Sequence, residues 1–257
     1  MLPSWPARVV LLHVYQAPDT YSETGIMPGS VPYYDREQIT YALHRQAESM
    51  AMPTAVEVVT GPFGEALEAA VQRFKPLLVV VGLTSVEGYV ETLLANRALP
   101  WLRTSPVPAV LVPEGAALVA PRRVLVGIDG EGFAVPATAA ASFQELLTTW
   151  KAHPVLTYAT TPGSSLSRTE VLQSVRHSGL LPTDMEISFQ QPLADTPEKG
   201  LLGAVDEQRA NLLVLLARRR SLFGALVHRS VTARVLRKAT VPVLLPVGER
   251  VDAAVPA

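Results

Sequence analysis

Residues 77–82 read Leu77-Leu78-Val79-Val80-Val81-Gly82, and residues 211–216 read Asn211-Leu212-Leu213-Val214-Leu215-Leu216. The two stretches lie 134 residues apart. The same offset sets Leu102-Arg103-Thr104-Ser105-Pro106-Val107-Pro108 against Leu236-Arg237-Lys238-Ala239-Thr240-Val241-Pro242, with no gap in between. Upstream it sets Ala66-Leu67 and Ala70-Val71 against Gly200-Leu201 and Ala204-Val205. A fixed period of this length is the signature of a duplicated structural unit. Each apolar run is short, rich in β-branched residues and bounded by turn residues. That is the pattern of a strand buried on both faces in a parallel sheet.

Working outward, strands are expected at Val9–Val14, Ala55–Val59, Leu77–Val81 and Ala109–Val112 in the first unit. In the second they are expected at Val124–Ile128, Val155–Tyr158, Glu186–Phe189, Leu212–Leu216 and Val243–Pro246. Helical patterns lie between them. Thr196 stands where an N-cap belongs, Pro197 falls at the first helical position, and Leu201, Leu202 and Val205 recur at helical spacing. Ser167-Arg168-Thr169-Glu170 reads as a capping box for a helix running to His177. A further helix should reach about Trp150. Strands alternating with helices predict an α/β fold: two tandem parallel-sheet sandwich units with right-handed crossovers. The expected organisation is a first unit over 1–113, a linker over 114–121, a second unit over 122–248 and a tail over 249–257.

The starts of the two units differ. The second opens with Arg122-Arg123-Val124-Leu125-Val126-Gly127-Ile128-Asp129-Gly130 and a helix before its Val155 strand. The first reaches its equivalent strand at Arg8-Val9-Val10-Leu11-Leu12-His13. It therefore lacks the opening strand and nearly all of the first helix. The expectation is a start upstream of Met1 or a shortened first domain, its missing strand supplied by a longer start or by a second chain.

Composition narrows the functions. The 257 residues are 48% hydrophobic and 18% charged, as in a globular chain. The formal charge is −1, from 22 basic and 23 acidic residues. That balance argues against a nucleic-acid binder working by phosphate neutralisation. With no cysteine, thiolate nucleophiles, disulfides and cysteine-based metal sites are excluded. The longest uninterrupted aliphatic runs, such as Leu77–Val81 and Leu212–Ala217, are far short of the ~20 residues of a membrane helix. Met1-Leu2-Pro3-Ser4-Trp5-Pro6 has neither the basic nor the apolar region of a signal peptide. A cytoplasmic protein without membrane or nucleic-acid partners is expected.

The second unit resembles the universal stress protein family, and the first does so less completely. The resemblance rests on the strand ending Val126-Gly127-Ile128-Asp129, on the strand–loop–helix order around Leu212–Leu216, and on the closing Val241-Pro242-Val243-Leu244-Leu245. It covers about 8–113 and 122–247. It implies Rossmann-like, five-stranded parallel sheets of order 3-2-1-4-5 and dimers formed through the last strand. Some relatives bind ATP and others do not. Tandem members bring two units together in one chain. The strands at Ala109–Val112 and Val243–Pro246 are therefore expected to pair as an intramolecular pseudo-dimer, burying edge donors and acceptors. A homodimer and an unidentified protein partner are further expectations.

In that family the fourth strand runs into a phosphate loop of pattern Gly-x2-Gly-x9-Gly-Ser/Thr. Here the marked positions are Leu216, Arg219, Arg229 and Ser230 in the second unit, and Gly82, Ser85, Ala95 and Asn96 in the first. Only Gly82 and Ser230 match. A phosphate cradle needs inward-pointing N–H groups, often at positive φ and with no Cβ in the way. Side chains there resist positive φ by roughly 1–2 kcal/mol per residue. Both loops read as degenerate for ATP, and no cofactor is expected.

The alternative is an ATP-binding stress protein using the second unit. Asp129 ends its first strand, where ligands bind in open α/β sheets. It contacts the nucleotide or caps the turn that follows. Arg218, Arg219 and Arg229, with Arg220 and His228, form an anion site of guanidinium forks or a solvated loop face. The segment 16–34, with Tyr21, Tyr33 and Tyr34, is a partner-binding loop or packs on itself. His13 and Tyr158 lie at or near equivalent strand ends, and the histidine reads as a packing or local hydrogen-bonding residue. The five histidines show no metal-ligand spacing. No nucleophile motif, Walker loop or acid–base pair is present, so a non-enzymatic protein is expected.

Overall fold

The computed structural model describes residues 8–15, 35–83, 107–117, 119–128, 135–163, 166–182, 185, 187–216 and 231–246. It divides into two compact units, Met1–Lys75 and Pro76–Ala257.

The smaller unit carries β1 (Val9–Tyr15), α1 (Arg36–Glu48), β2 (Thr54–Thr60) and α2 (Phe63–Phe74). β1 and β2 form a two-stranded parallel sheet, from Val9 opposite Thr54 to Tyr15 opposite Thr60. The helical connection between parallel strands is what the geometry requires. α1 starts at a capping box, with Asp35 accepting from the helix N-terminus and Gln38 reaching back to the Asp35 N–H. α2 stops where Lys75 turns left-handed at φ 45° and donates its N–H to Val71. Arg73 bonds Glu57 at 2.7 Å and lies over the Phe74 ring. Among the described residues of this unit, only Leu67 and Val71 are fully buried apolar side chains.

The larger unit carries β3 (Val79–Leu83), β4 (Ala109–Pro113), β5 (Arg123–Gly127), α3 (Ala137–Trp150), β6 (His153–Thr157), α4 (Arg168–His177), β7 (Ser188–Gln190), α5 (Pro197–Glu207), β8 (Leu212–Leu215), α6 (Val231–Lys238) and β9 (Val243–Leu245). Its seven strands run in the order β3-β4-β9-β8-β5-β6-β7. The last five reproduce the 3-2-1-4-5 order. All pairs are parallel except β4 with β9, where Ala109 faces Leu245 and Leu111 faces Val243. β5 is the middle strand of those five, and its Val124, Leu125 and Val126 are each 0% exposed. Burial on both faces explains its unbroken apolar sequence. Phe143 and Leu147 of α3, and Val171 and Val175 of α4, pack with Val124, Val126 and Leu156 in one core cluster.

Several bounds move from the sequence expectation. The third strand begins at Val79, not Leu77, because the ladder starts where Val79 donates to Pro108. Leu77 stays outside it, 71% exposed. β6 opens at His153, whose N–H donates to Arg122, and ends a residue early, at Thr157. β7 begins at Ser188, and Glu186 lies outside the described residues. Ser167 and Glu170 form the expected capping box on α4, with Glu170 Oε2 accepting from the Ser167 N–H at 2.7 Å. Thr196 occupies the N-cap of α5 and Pro197 its first position, but the Thr196 side chain makes no bond to the helix end.

The 134-residue period recurs in the backbone. Val79 donates to Pro108 and Leu213 to Pro242, both at 3.0 Å. Val79 faces Ala109 as Leu213 faces Val243. Lys75 and Arg209 are left-handed at φ 45° and 47°. The compact-unit boundary falls at Lys75–Pro76, whereas the repeat boundary read from sequence lies near 113–122. β3 and β4 lie with the larger unit because β4 is bonded to β9.

Candidate functional site

In an open α/β sheet the ligand crevice forms at the carboxyl ends of the strands, where the strand order reverses. Here that point lies between β5 and β8. Gly127 closes β5 against α5: a Cβ there would stand 2.9 Å from Leu201 Cδ2 and 3.1 Å from Leu215 Cδ2. Gly200, in the first turn of α5, is tighter, with a Cβ placed 2.8 Å from that of Ala159. These contacts seat the helix directly on the strand ends.

The described backbone donors along these strand ends are bonded to neighbouring carbonyls. Leu216 donates to Gly127 at 3.2 Å, Ile128 to Thr157 at 3.1 Å and Tyr158 to Gln190 at 3.1 Å. Thr160 donates to Pro192 and Ala194 to Thr160. Leu216 is half-buried and packs against the core cluster that contains Ile128 and Val135. The described wall is thus apolar at its centre. A neutral relay lies beside it. Gln190 Nε2 donates to the buried Thr157 Oγ1 at 2.9 Å, and Gln208 Nε2 donates to Gln190 Oε1 at 3.1 Å. Amide and hydroxyl groups orient one another but supply no acid or base at neutral pH.

Of the residues singled out in the sequence, Gly82 lies in β3, opposite Val112, and a Cβ there would meet nothing within 4 Å. Its place in β3 separates it from the crevice between β5 and β8. Asp129, Arg218, Arg219, Arg229 and Ser230 lie outside the described residues, as do Arg220, His228 and the segment 16–34. His13 is in β1, and Tyr158 follows β6, buried.

One buried charge pair escaped the sequence reading. Glu198, in the first turn of α5, is 5% exposed, and its Oε2 lies 3.1 Å from Arg234 Nε of α6. Burial opposes ionisation of this carboxyl. Its own backbone N–H, the Thr196 hydroxyl and the Arg234 guanidinium outweigh that cost and hold its pKa below the ordinary range. An acid in a first helical turn also meets the favourable end of the helix dipole. The available signal was Glu198 next to Pro197 at a predicted helix start; its partner 36 residues on carried none. The pair ties α5 to α6. Among the described residues, no group of three or more His, Asp or Glu side chains could hold a metal ion. No described helix is long and apolar enough to cross a membrane.

Residues 193–246 match the model of the Universal stress protein family. No curated protein is similar enough in sequence to be matched. Among solved structures, the chain is similar to a universal stress protein from Archaeoglobus fulgidus, at 16% identity and a TM-score of 0.58, over 96% of this chain and 87% of that one. It is also similar to a Pseudomonas aeruginosa protein of unknown function, at 14% identity and a TM-score of 0.56, over 93% and 82% of the two chains. A provisionally named universal stress protein of Pseudomonas aeruginosa gives 14% identity and a TM-score of 0.55, over 94% and 84%. The chain thus has a fold similar to that of these proteins, and resembles the universal stress protein family in sequence over residues 193–246.

Proposed function

We propose that this chain is a non-enzymatic, cytoplasmic binding protein of the universal stress type, built from two tandem units, with a second-unit crevice closed to nucleotide triphosphates. The observation that carries this reading is the backbone at Leu216. The position that glycine holds in the family's phosphate loop is here a half-buried leucine. Its N–H is committed to Gly127 at 3.2 Å, and its side chain sits on the core. A phosphate entering there would have to break that bond and displace apolar contacts, with no donor gained at Leu216 in exchange.

The duplication is supported by the matched registers and by the left-handed residues Lys75 and Arg209. Under this reading the repeats cover 1–113 and 122–248, and the antiparallel contact of β4 with β9 is an internal pseudo-dimer seam. Homodimerisation and binding of a protein partner belong to the same reading.

The test is thermal unfolding with and without millimolar Mg-ATP. A ligand that binds only the native state stabilises by RT ln(1 + [L]/Kd). The expected result is an unchanged Tm. A rise of several degrees that Arg219→Ala abolishes would replace this reading with the nucleotide-binding one, using Asp129 and the arginine-rich loop.

A further inference from the structure

In the larger unit β5, β6, β8 and β9 run the same way, so their first residues share one end of the sheet, opposite the crevice. Topology gathers basic residues there from four distant stretches of chain. Arg122 and Arg123 stand at the start of β5, Lys151 and His153 at that of β6, Arg209 just ahead of β8, and Lys238 at the end of α6 ahead of β9. Backbone bonds tie these ends together. His153 donates to the Arg122 carbonyl and Asn211 to that of Arg123, both at 2.8 Å. Arg123 Nε donates to the Arg209 carbonyl at 2.7 Å, which orients the guanidinium and leaves its other donors free for a partner. β3 and β4 run opposite to β9, so residues 76–79 enter the sheet from the crevice end, away from this rim.

The side chains of Arg122, Arg123, Lys151, Arg209 and Lys238 belong to exposed residues. Among the described residues none of these five is in an ion pair, whereas Arg73, Lys199 and Arg234 each hold a carboxylate. Cations at helix C-termini complement the helix dipole, which accounts for Lys151, Arg209 and Lys238. It gives no reason for Arg122 and Arg123, which open a strand. Asp206 and Glu207 in the last turn of α5, and Glu114 after β4, are acids of the same end, and the cations outnumber them. The whole chain has a formal charge of −1, so the positive excess is local to this rim.

A rim of unpaired cations fits a partner of opposite charge. Neighbouring strands lie about 4.8 Å apart, so β6 to β9 span ~14 Å, a distance crossed by roughly five residues of extended chain. Guanidinium forks match carboxylates bidentately. So short a rim, on a chain without net positive charge, does not suit a nucleic-acid strand, whose binding rests on many neutralised phosphates. We infer that this end of the sheet docks an extended acidic segment of a partner protein, laid across β6, β5, β8 and β9 with its carboxylates on Arg122, Arg123, Lys151, Arg209 and Lys238. The inference rests on the partner-binding part of the proposed function, and it gives that partner a surface and a chemistry.

The experiment uses the full chain and a fluorescein-labelled peptide of alternating glutamate and serine, read by fluorescence anisotropy. Binding should saturate and should weaken as salt is raised. The double variant Arg122→Glu, Lys238→Glu should bind at least tenfold more weakly with an unchanged far-UV spectrum, since both side chains are exposed and unpaired. If that variant fails to fold, Arg122→Gln with Lys238→Gln carries the same test, at a loss of at least threefold. Arg168→Glu with Lys199→Glu makes an equal change in net charge at the first turns of α4 and α5, and should alter binding less than twofold. In the free chain Lys151 and Lys238 should be acetylated as fast as the exposed Lys199, and bound peptide should slow only the first two.

No saturable binding, or an equal loss in the two charge-reversed variants, would overturn the inference. Lys151 and Lys238 protected in the free chain at every concentration would overturn it, because the chain itself would cover the rim. Protection lost on dilution would overturn it in favour of a second copy as the occupant. A single-stranded oligonucleotide of equal charge that binds more tightly than the peptide, and loses that binding in the rim variant, would replace the acidic segment with a polyphosphate. None of these outcomes touches the Leu216 crevice. A Tm rise with Mg-ATP would conversely leave the rim result standing.

Discussion

At the scale of single residues, one contact holds α5 against the segment that follows β6 and another ties it to α6. Gly200→Ala puts a methyl 2.8 Å from that of Ala159. The helix-propensity gain of up to ~1 kcal/mol is smaller than the overpacking cost of about 1–3 kcal/mol. Urea unfolding should show net destabilisation, and Ala159→Gly in the same chain should restore part of it, as a contact-specific coupling requires. Glu198 makes the second contact. Its folded pKa lies below the ordinary value of 4.5, so its ionised form stabilises the fold. That stability is complete above the unfolded pKa and is lost as pH falls through the folded one. Glu198→Gln should cost about 1–3 kcal/mol at pH 7. The gap to the unaltered chain should narrow toward pH 3 in denaturant titrations. A gap independent of pH would mean that the carboxylate charge contributes nothing.

Elements end where single residues permit. α3 stops at Lys151, left-handed at φ 50°, with its N–H on the last carbonyls. A Cβ is disfavoured in that conformation by about 1–2 kcal/mol. Lys151→Gly should therefore raise stability by up to about 1 kcal/mol, read as a higher Tm. At the start of α4, Ser167→Ala removes the cap on the Glu170 N–H and should cost about 1 kcal/mol. The α4 box was legible in the sequence because its two members are three residues apart. The end of α3 near Trp150 was legible too, but the left-handed turn at Lys151 that makes it was not, since lysine gives no local sign of one. The start of β3 was likewise set by its neighbour: Leu77 and Leu78 are as apolar as Val79, but the ladder begins at the Val79–Pro108 bond.

At the scale of the whole molecule, the two units differ in how much they bury. In the larger one, β5 has neighbours on both edges and is buried on both faces. In the smaller, two strands carry two helices over a core in which only Leu67 and Val71 are fully buried among the described residues. Local stability follows apolar burial. Amides of 9–15 and 54–60 should exchange at lower opening free energies than those of 123–127 and 212–215 in native-state hydrogen exchange. Uniform protection would show a single cooperative unit instead. The sequence by itself determined the α/β class, the 134-residue offset between its matching stretches and the strand cores. All of these are carried by residue type and spacing along the chain. Only the tertiary structure decided that the β3 ladder starts at Val79, that Leu216 spends its N–H on Gly127, and that Glu198 meets Arg234. Each of those depends on which distant strand or helix arrives beside a given backbone group, and pairing of that kind leaves no local trace in sequence.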